Sequence, residues 1–106
     1  MKRIDPLTLH DWLEKNEDVQ LIDVREQDEW DICRLPDADW IPMHKIPKAA
    51  AQIKTGCPVV VYCHHGIRSA HCIMYLEENG GFDNLYNLDG GIDAWARAVD
   101  KEMPLY

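Results

Sequence analysis

Cys63, His64, His65, Gly66, Ile67, Arg68 and Ser69 form one unbroken run that combines a nucleophile, two bases, a turn residue and a fixed cation. A cysteine attacks as its thiolate, and thiolates are favoured where backbone N–H groups and the positive end of a helix dipole converge. The flanking residues make such a place. Val59-Val60-Val61-Tyr62, with Gly56 and Pro58 before it and Gly66 after it, reads as a buried strand. From Ile67 to Asn79 the apolar positions Ile67, Ala70 and Met74 predict a helix, with Gly80-Gly81 as its stop signal. Cys63 then lies at a strand-to-helix turn, where its pKa is expected to fall.

A thiolate inside a ring of amides can attack an electrophile and keep negative charge on the adduct surrounded by donors. Gly66 permits the tight turn that aims the amides inward. Arg68 adds a forked donor suited to an oxyanion such as sulfonate, phosphate or arsenate. It serves equally as a structural ion pair at the helix start, with Asp23 or Glu26 as partner. His64 and His65 are basic near neutrality, but adjacent loop residues point different ways, so at most one faces the site. With His71 and Cys72 they are too crowded in sequence to match separated zinc-ligand pairs, so no metal is expected. Only four residues separate Cys63 from Arg68. Cysteine-dependent phosphatases space the two residues one further apart, so this cradle is smaller and suits a terminal sulfur atom better than a phosphoryl group.

The elements that must position this loop alternate along the chain. Asp5-Pro6 reads as an N-cap followed by a first-turn proline, with Leu9, Trp12 and Leu13 on one face of a helix ending near Asn16. Leu21-Ile22-Asp23-Val24 is a strand, Glu26 to Ile32 a short acidic helix anchored by Trp30, and Trp40-Ile41-Pro42 a short extended segment. Lys45 to Lys54 predicts a helix with Ile46, Ala50 and Ile53 on one side and Pro47 in its first turn. Leu85 to Leu88 is a further strand; after Asp89-Gly90-Gly91, the residues Ile92, Trp95, Ala96 and Val99 give a final amphipathic helix. This alternation implies an α/β fold with a mainly parallel sheet, and such sheets place sites at the carboxyl ends of their strands. Asp23, Cys63 and Asp89-Gly90-Gly91 all fall at such ends. Asp23 and Arg25 are accordingly expected behind the site, Asp23 as a buried carboxylate bonding to loop amides.

At 106 residues the chain, 1–106, has the size of a single domain. A net charge of −8 argues against nucleic acid or an anionic membrane surface as partner, so an anionic substrate must be drawn by local donors. No apolar stretch is long enough to span a bilayer, and Met1-Lys2-Arg3 leads to Asp5-Pro6, not to a signal-peptide core. The cytoplasm is the expected location, with Cys33, Cys57, Cys63 and Cys72 reduced.

Four blocks in this order resemble the rhodanese-like sulfurtransferases: Leu21 to Glu26, Leu35-Pro36 through Ile41-Pro42, Val61-Tyr62-Cys63 through Arg68-Ser69, and Leu88-Asp89-Gly90-Gly91 through Trp95. The resemblance implies a five-stranded, mainly parallel sheet flanked by helices. It also implies a thiosulfate sulfurtransferase type of activity: Cys63 takes a sulfane sulfur as a persulfide and passes it to cyanide, a small thiol or a protein thiol, without a cofactor. His64, His65, Gly66, Ile67, Arg68 and Ser69 would form the ring around that persulfide. A phosphatase or arsenate reductase on the same loop, or a protein-docking module without chemistry, are the alternative readings. The chain departs from the family at Cys33-Arg34 and Asp37, where Gly-His and Gly are common. That places a second thiol nearby, either inert or engaged with Cys63 in relay or in a disulfide.

Overall fold

A computed structural model describes residues 1–15 and 17–106. Asp5 caps the first helix, α1 (Pro6–Glu14), by accepting the Thr8 N–H at 2.8 Å, and Pro6 occupies the first turn, where its missing N–H removes no hydrogen bond. Leu9 is buried by this helix, with Trp12 and Leu13 half-buried beside it. The helix end expected near Asn16 lies outside the described residues.

Among the described residues five strands form one parallel sheet: β1 (Lys2–Ile4), β2 (Gln20–Asp23), β3 (Asp39–Trp40), β4 (Val59–Tyr62) and β5 (Leu85–Leu88), in the order β1-β5-β4-β2-β3. The sheet is parallel throughout, as the alternation of elements predicts. β4 lies at its centre and is buried on both sides, which is why it reads as a continuous apolar run. Val59 and Val61 pack on one face with Ile22, Ile73 and Leu76; Val60 and Tyr62 pack on the other with Leu9, Leu35, Ile92 and Trp95. The helix α3 (Ile67–Gly80) and two short 3-10 segments, Met43–Lys48 and Ala50–Gln52, cover the first face. The second is covered by α1 and α4 (Gly91–Ala98), and α2 (Gln27–Ile32) follows β2 at the carboxyl edge. The register pairs Asp23 with Tyr62 and Val61 with Asn87, so the strand ends carrying Asp23, Cys63 and Asp89 reach one edge together.

Several elements differ from the sequence expectation. β1 is not signalled by its sequence, because Lys2 and Arg3 are exposed and Ile4 alone is buried. Residues 45–54 form 3-10 turns in place of the expected helix. Their buried residues are therefore Ile46, Ala49 and Ile53, and Ala50 is exposed. In α3 the expected apolar face is also wrong: Ile67 is 70% exposed and Met74 48%, whereas Ser69, Cys72, Ile73 and Leu76 point inward. Those four follow the i, i+3, i+4, i+7 helical stripe, disguised in sequence by its serine. At Asp37 the backbone takes φ +58°, the left-handed conformation that glycine favours, so the departure from glycine there keeps the turn.

Gly91, at φ +62°, is the other tight point. A Cβ there would lie well inside van der Waals contact with the backbone carbonyls of Cys63 and His64. Gly91→Ala is expected to cost about 2 kcal/mol or more, lowering the thermal unfolding midpoint by roughly 10 °C as followed by circular dichroism. An unchanged midpoint would show that the two backbones do not approach so closely.

Candidate active site around Cys63

β4 delivers Cys63 to the carboxyl edge, where the side chain is almost fully buried. Gly66, at φ +108°, turns the chain into α3 and points its N–H at the Cys63 Sγ, 3.1 Å away. The Ser69 hydroxyl lies 3.4 Å from the same sulfur. Ser69 also donates to Asn87 Oδ1 at 2.6 Å, while Asn87 Nδ2 donates to the Gly66 carbonyl at 2.9 Å. Asn87 thus clasps the loop from β5 at both ends of its turn. From α4, the Ile92 and Asp93 N–H groups donate to the carbonyls of Cys63 and His64 at 2.9 and 3.1 Å. These first-turn N–H groups have no partner inside their own helix, so binding the loop satisfies both sides.

Opposing effects set the ionisation of Cys63. Burial raises its pKa; hydrogen bonds from the Ser69 hydroxyl and from the backbone N–H groups of Ser69, Gly66 and His65 lower it. The hydrogen bonds prevail, and the thiol is held below its ordinary value. Cys72, one turn of α3 beyond Ser69, is instead pushed up to about 12 by burial and by proximity to Cys63. It is a packing residue.

The other loop side chains are not arranged as one ring. The Arg68 guanidinium meets Glu29 in a two-pronged pair, Nη1 to Oε1 at 2.6 Å and Nη2 to Oε2 at 3.0 Å. The sequence expectation named Asp23 or Glu26 as its partner; the helical turn of α2 presents Glu29 instead. Arg68 holds the Glu29 carboxyl down to about 2 against the opposing effect of burial. His64 is sandwiched between the rings of His65 and Tyr106, each with a centroid 3.9 Å away. Its pKa is lowered by burial and then by the neighbouring His65. His65, Ile67 and His71 are exposed to solvent. The ligand atoms of His64, His65 and Asp93 lie within 4.8 Å of one another, the one such group among the described residues. Asp93 is already paired with Arg97 at 2.9 Å.

Asp23 and Arg25 lie behind the site as a buried ion pair, Nη2 to Oδ2 at 2.6 Å. Asp23 accepts from the backbone N–H and guanidinium of Arg25, and not from the Cys63 loop as the sequence suggested. Cys33 packs with the cluster on the opposite face from Cys63, with Sγ 3.5 Å from the Pro104 carbonyl, an arrangement that does not favour direct pairing of the two thiols. Sequence reasoning missed Asn87, Glu29 and Tyr106. Asn87 left a signal, a lone amide in a buried strand; Glu29 and Tyr106 left none that distinguishes them from solvated residues. A cavity of about 560 Å³ on the α1 and α4 face is lined by none of the Cys63 loop.

A family model described as the rhodanese-like domain matches residues 5–98. A sulfurtransferase of Allochromatium vinosum is 40% identical over 97 residues, covering 92% of this chain and 90% of that protein. The probable adenylyltransferase/sulfurtransferase MoeZ of Mycobacterium tuberculosis is 36% identical over 105 residues, covering 97% of the chain; the chain spans only 26% of that relative's length. Among solved structures, a rhodanese-like domain protein from Staphylococcus aureus superposes with a TM-score of 0.82 at 35% identity, covering 90% of this chain and 91% of that one.

Ser69→Ala removes the largest of the interactions that lower the Cys63 pKa. The midpoint of the pH dependence of Cys63 alkylation by iodoacetamide is expected to move up. A midpoint that stays in place or falls would assign the activation to the backbone amides alone.

Proposed function

The chain belongs to the rhodanese-like domain family, and from that membership and the hydrogen-bonded thiol we propose that residues 1–106 act as a single-domain sulfurtransferase. The observation that carries this reading is the Gly66 N–H, 3.1 Å from a buried Cys63 sulfur whose pKa is lowered despite its burial. In the first half-reaction the Cys63 thiolate attacks the outer sulfur of a sulfane donor such as thiosulfate. The sulfur–sulfur bond of the donor breaks, sulfite leaves with its electron pair, and the enzyme is left as a persulfide anion. In the second, cyanide or a small or protein thiol attacks that terminal sulfur, and Cys63 leaves as the thiolate.

Both steps keep a single negative charge on sulfur at the loop, so the same donors serve throughout. Gly66 and Ser69 are the closest of them, with the His65 N–H beside them. His64 and Ile67 contribute backbone to the ring. Arg68 spends two N–H groups on Glu29, and its others have no partner among the described residues, which leaves them free for the anionic end of a donor. The reading sets the protein in the cytoplasm, where its thiols stay reduced. Among the described residues no helix is long and apolar enough to cross a membrane.

Initial rates of thiocyanate formation from thiosulfate and cyanide should give the parallel double-reciprocal lines of a two-step transfer. Cys63→Ser should fold normally and lose activity on the order of a thousandfold or more. A folded Cys63→Ser protein that keeps most of its activity, or a wild-type protein that cleaves an aryl phosphate and transfers no sulfur, would overturn the reading.

A further inference from the structure

A single hydroxyl joins the two ion pairs beside the Cys63 loop. Tyr106 Oη accepts from Arg25 Nη1 at 2.8 Å and donates to Glu29 Oε2 at 2.8 Å. The Arg25 guanidinium is completely buried, and each of its five N–H donors must find an acceptor. Asp23 takes Nε at 3.0 Å and one hydrogen of Nη2 at 2.6 Å; the Cys33 carbonyl takes the other. The Glu29 carbonyl takes one hydrogen of Nη1 at 3.2 Å. Tyr106 supplies the fifth acceptor. On its other side the hydroxyl holds the carboxylate that grips Arg68, so an unbroken chain of charge-assisted hydrogen bonds runs Asp23, Arg25, Tyr106, Glu29, Arg68.

The ring does separate work. It lies on His64 with centroids 3.9 Å apart and planes 9° from parallel, and His64 Nε2 is buried without a hydrogen-bond partner. Pro104, Leu105, Ile92 and Asp93 complete the cover over that imidazole. Tyr106 therefore touches the residue that follows Cys63 and, through Glu29, fixes the residue at the start of α3.

We propose that Tyr106 is a positioning residue of the Cys63 site, its hydroxyl orienting Arg68 through Glu29 and its ring holding His64 in place. The part that concerns anionic donors rests on the sulfur-transfer reading; the part that concerns His64 does not. Facing the His64 imidazole are His65 from its own loop, Asp93 from α4, Glu29 from α2, Arg68 from α3 and the Tyr106 ring. Burial lowers the His64 pKa, so uncovering the ring must raise it.

Two variants separate the roles. Tyr106→Phe deletes the hydroxyl and keeps the ring; Tyr106→Leu removes both. Both are compared with wild type by steady-state kinetics with thiosulfate and cyanide, and by NMR titration of His64. Tyr106→Phe is expected to raise KM for thiosulfate roughly fivefold, the equivalent of one hydrogen bond, with kcat within about twofold and the His64 midpoint unchanged. Tyr106→Leu is expected to show the same KM effect and, in addition, a His64 midpoint shifted upward. If Tyr106→Leu does not fold, Tyr106→Phe carries the kinetic test by itself. Wild-type values of KM in Tyr106→Phe together with a wild-type His64 midpoint in a folded Tyr106→Leu would overturn the proposal. A wild-type protein that transfers no sulfur would defeat the sulfur-transfer reading instead, and the His64 midpoint would then decide the role of Tyr106.

Discussion

The Arg25 guanidinium is buried at the carboxyl edge of the sheet, and a buried cation is tolerated only with a carboxylate against it and an acceptor for each donor. Those demands organise the edge. Asp23 must end β2 at the level of Tyr62, so that the strand register and the ion pair require one another. The carbonyls of Glu29 and Cys33 must face inward, which sets the position of α2. The indole of Trp40 donates to the Arg25 carbonyl at 2.9 Å and brings in β3. Burial alone would lower the pKa of Arg25; the hydrogen bonds to Asp23 and Tyr106 and the nearby carboxylate outweigh it and keep the cation charged. The stage on which the Cys63 loop sits is thus built by electrostatic satisfaction as much as by apolar packing.

Cys63 and Cys72 show what the loop adds to this stage. Both are buried thiols on the α3 side of the sheet, and for both burial is the largest influence, opposing ionisation. Among the described residues no N–H donor is turned toward Cys72, which is an inert thiol. Cys63 has the Gly66 amide, the Ser69 hydroxyl and two further amides, and ionises more readily than an exposed cysteine. Ser69 carries one proton for two acceptors, Asn87 Oδ1 and the Cys63 sulfur, so its hydroxyl can accept from the thiol and turn to donate when the sulfur becomes an anion. Backbone amides have no such freedom. The loop therefore offers fixed donors beside one adjustable donor, a combination that suits the thiolate and persulfide states of the proposed transfer.

Much of this was legible in the sequence. Val59 to Tyr62 had to be a central strand because it is apolar on both faces, and the glycine and serine after Cys63 marked the turn and the helix start. Asp5-Pro6 announced α1 by local chemistry alone. Most of the misreadings share a cause: they concern residues whose role is set by a distant partner. β1 exists because β5 offers it an edge. The inward face of α3 is hidden because Ser69 answers to Asn87 and Cys63, not to an apolar stripe. At 45–54 the cause is local: in 3-10 turns, which repeat every three residues, Ile46 and Ile53 are buried as expected but Ala49 takes the inward place of Ala50. Glu29 and Tyr106, far apart in sequence, become site residues only when the fold brings them to Arg68 and Arg25.

The central claim is that Cys63, whose thiol pKa the loop lowers, is the residue that carries sulfur. Its most direct test is the mass of the reduced protein after incubation with thiosulfate and removal of excess donor, followed by peptide mapping. The account predicts the added mass of a single sulfur atom on the peptide containing Cys63, removed by cyanide and absent from Cys63→Ser. An unmodified Cys63 after exposure to both thiosulfate and an organic persulfide, or a sulfur found on Cys33 with Cys63 left bare, would contradict it.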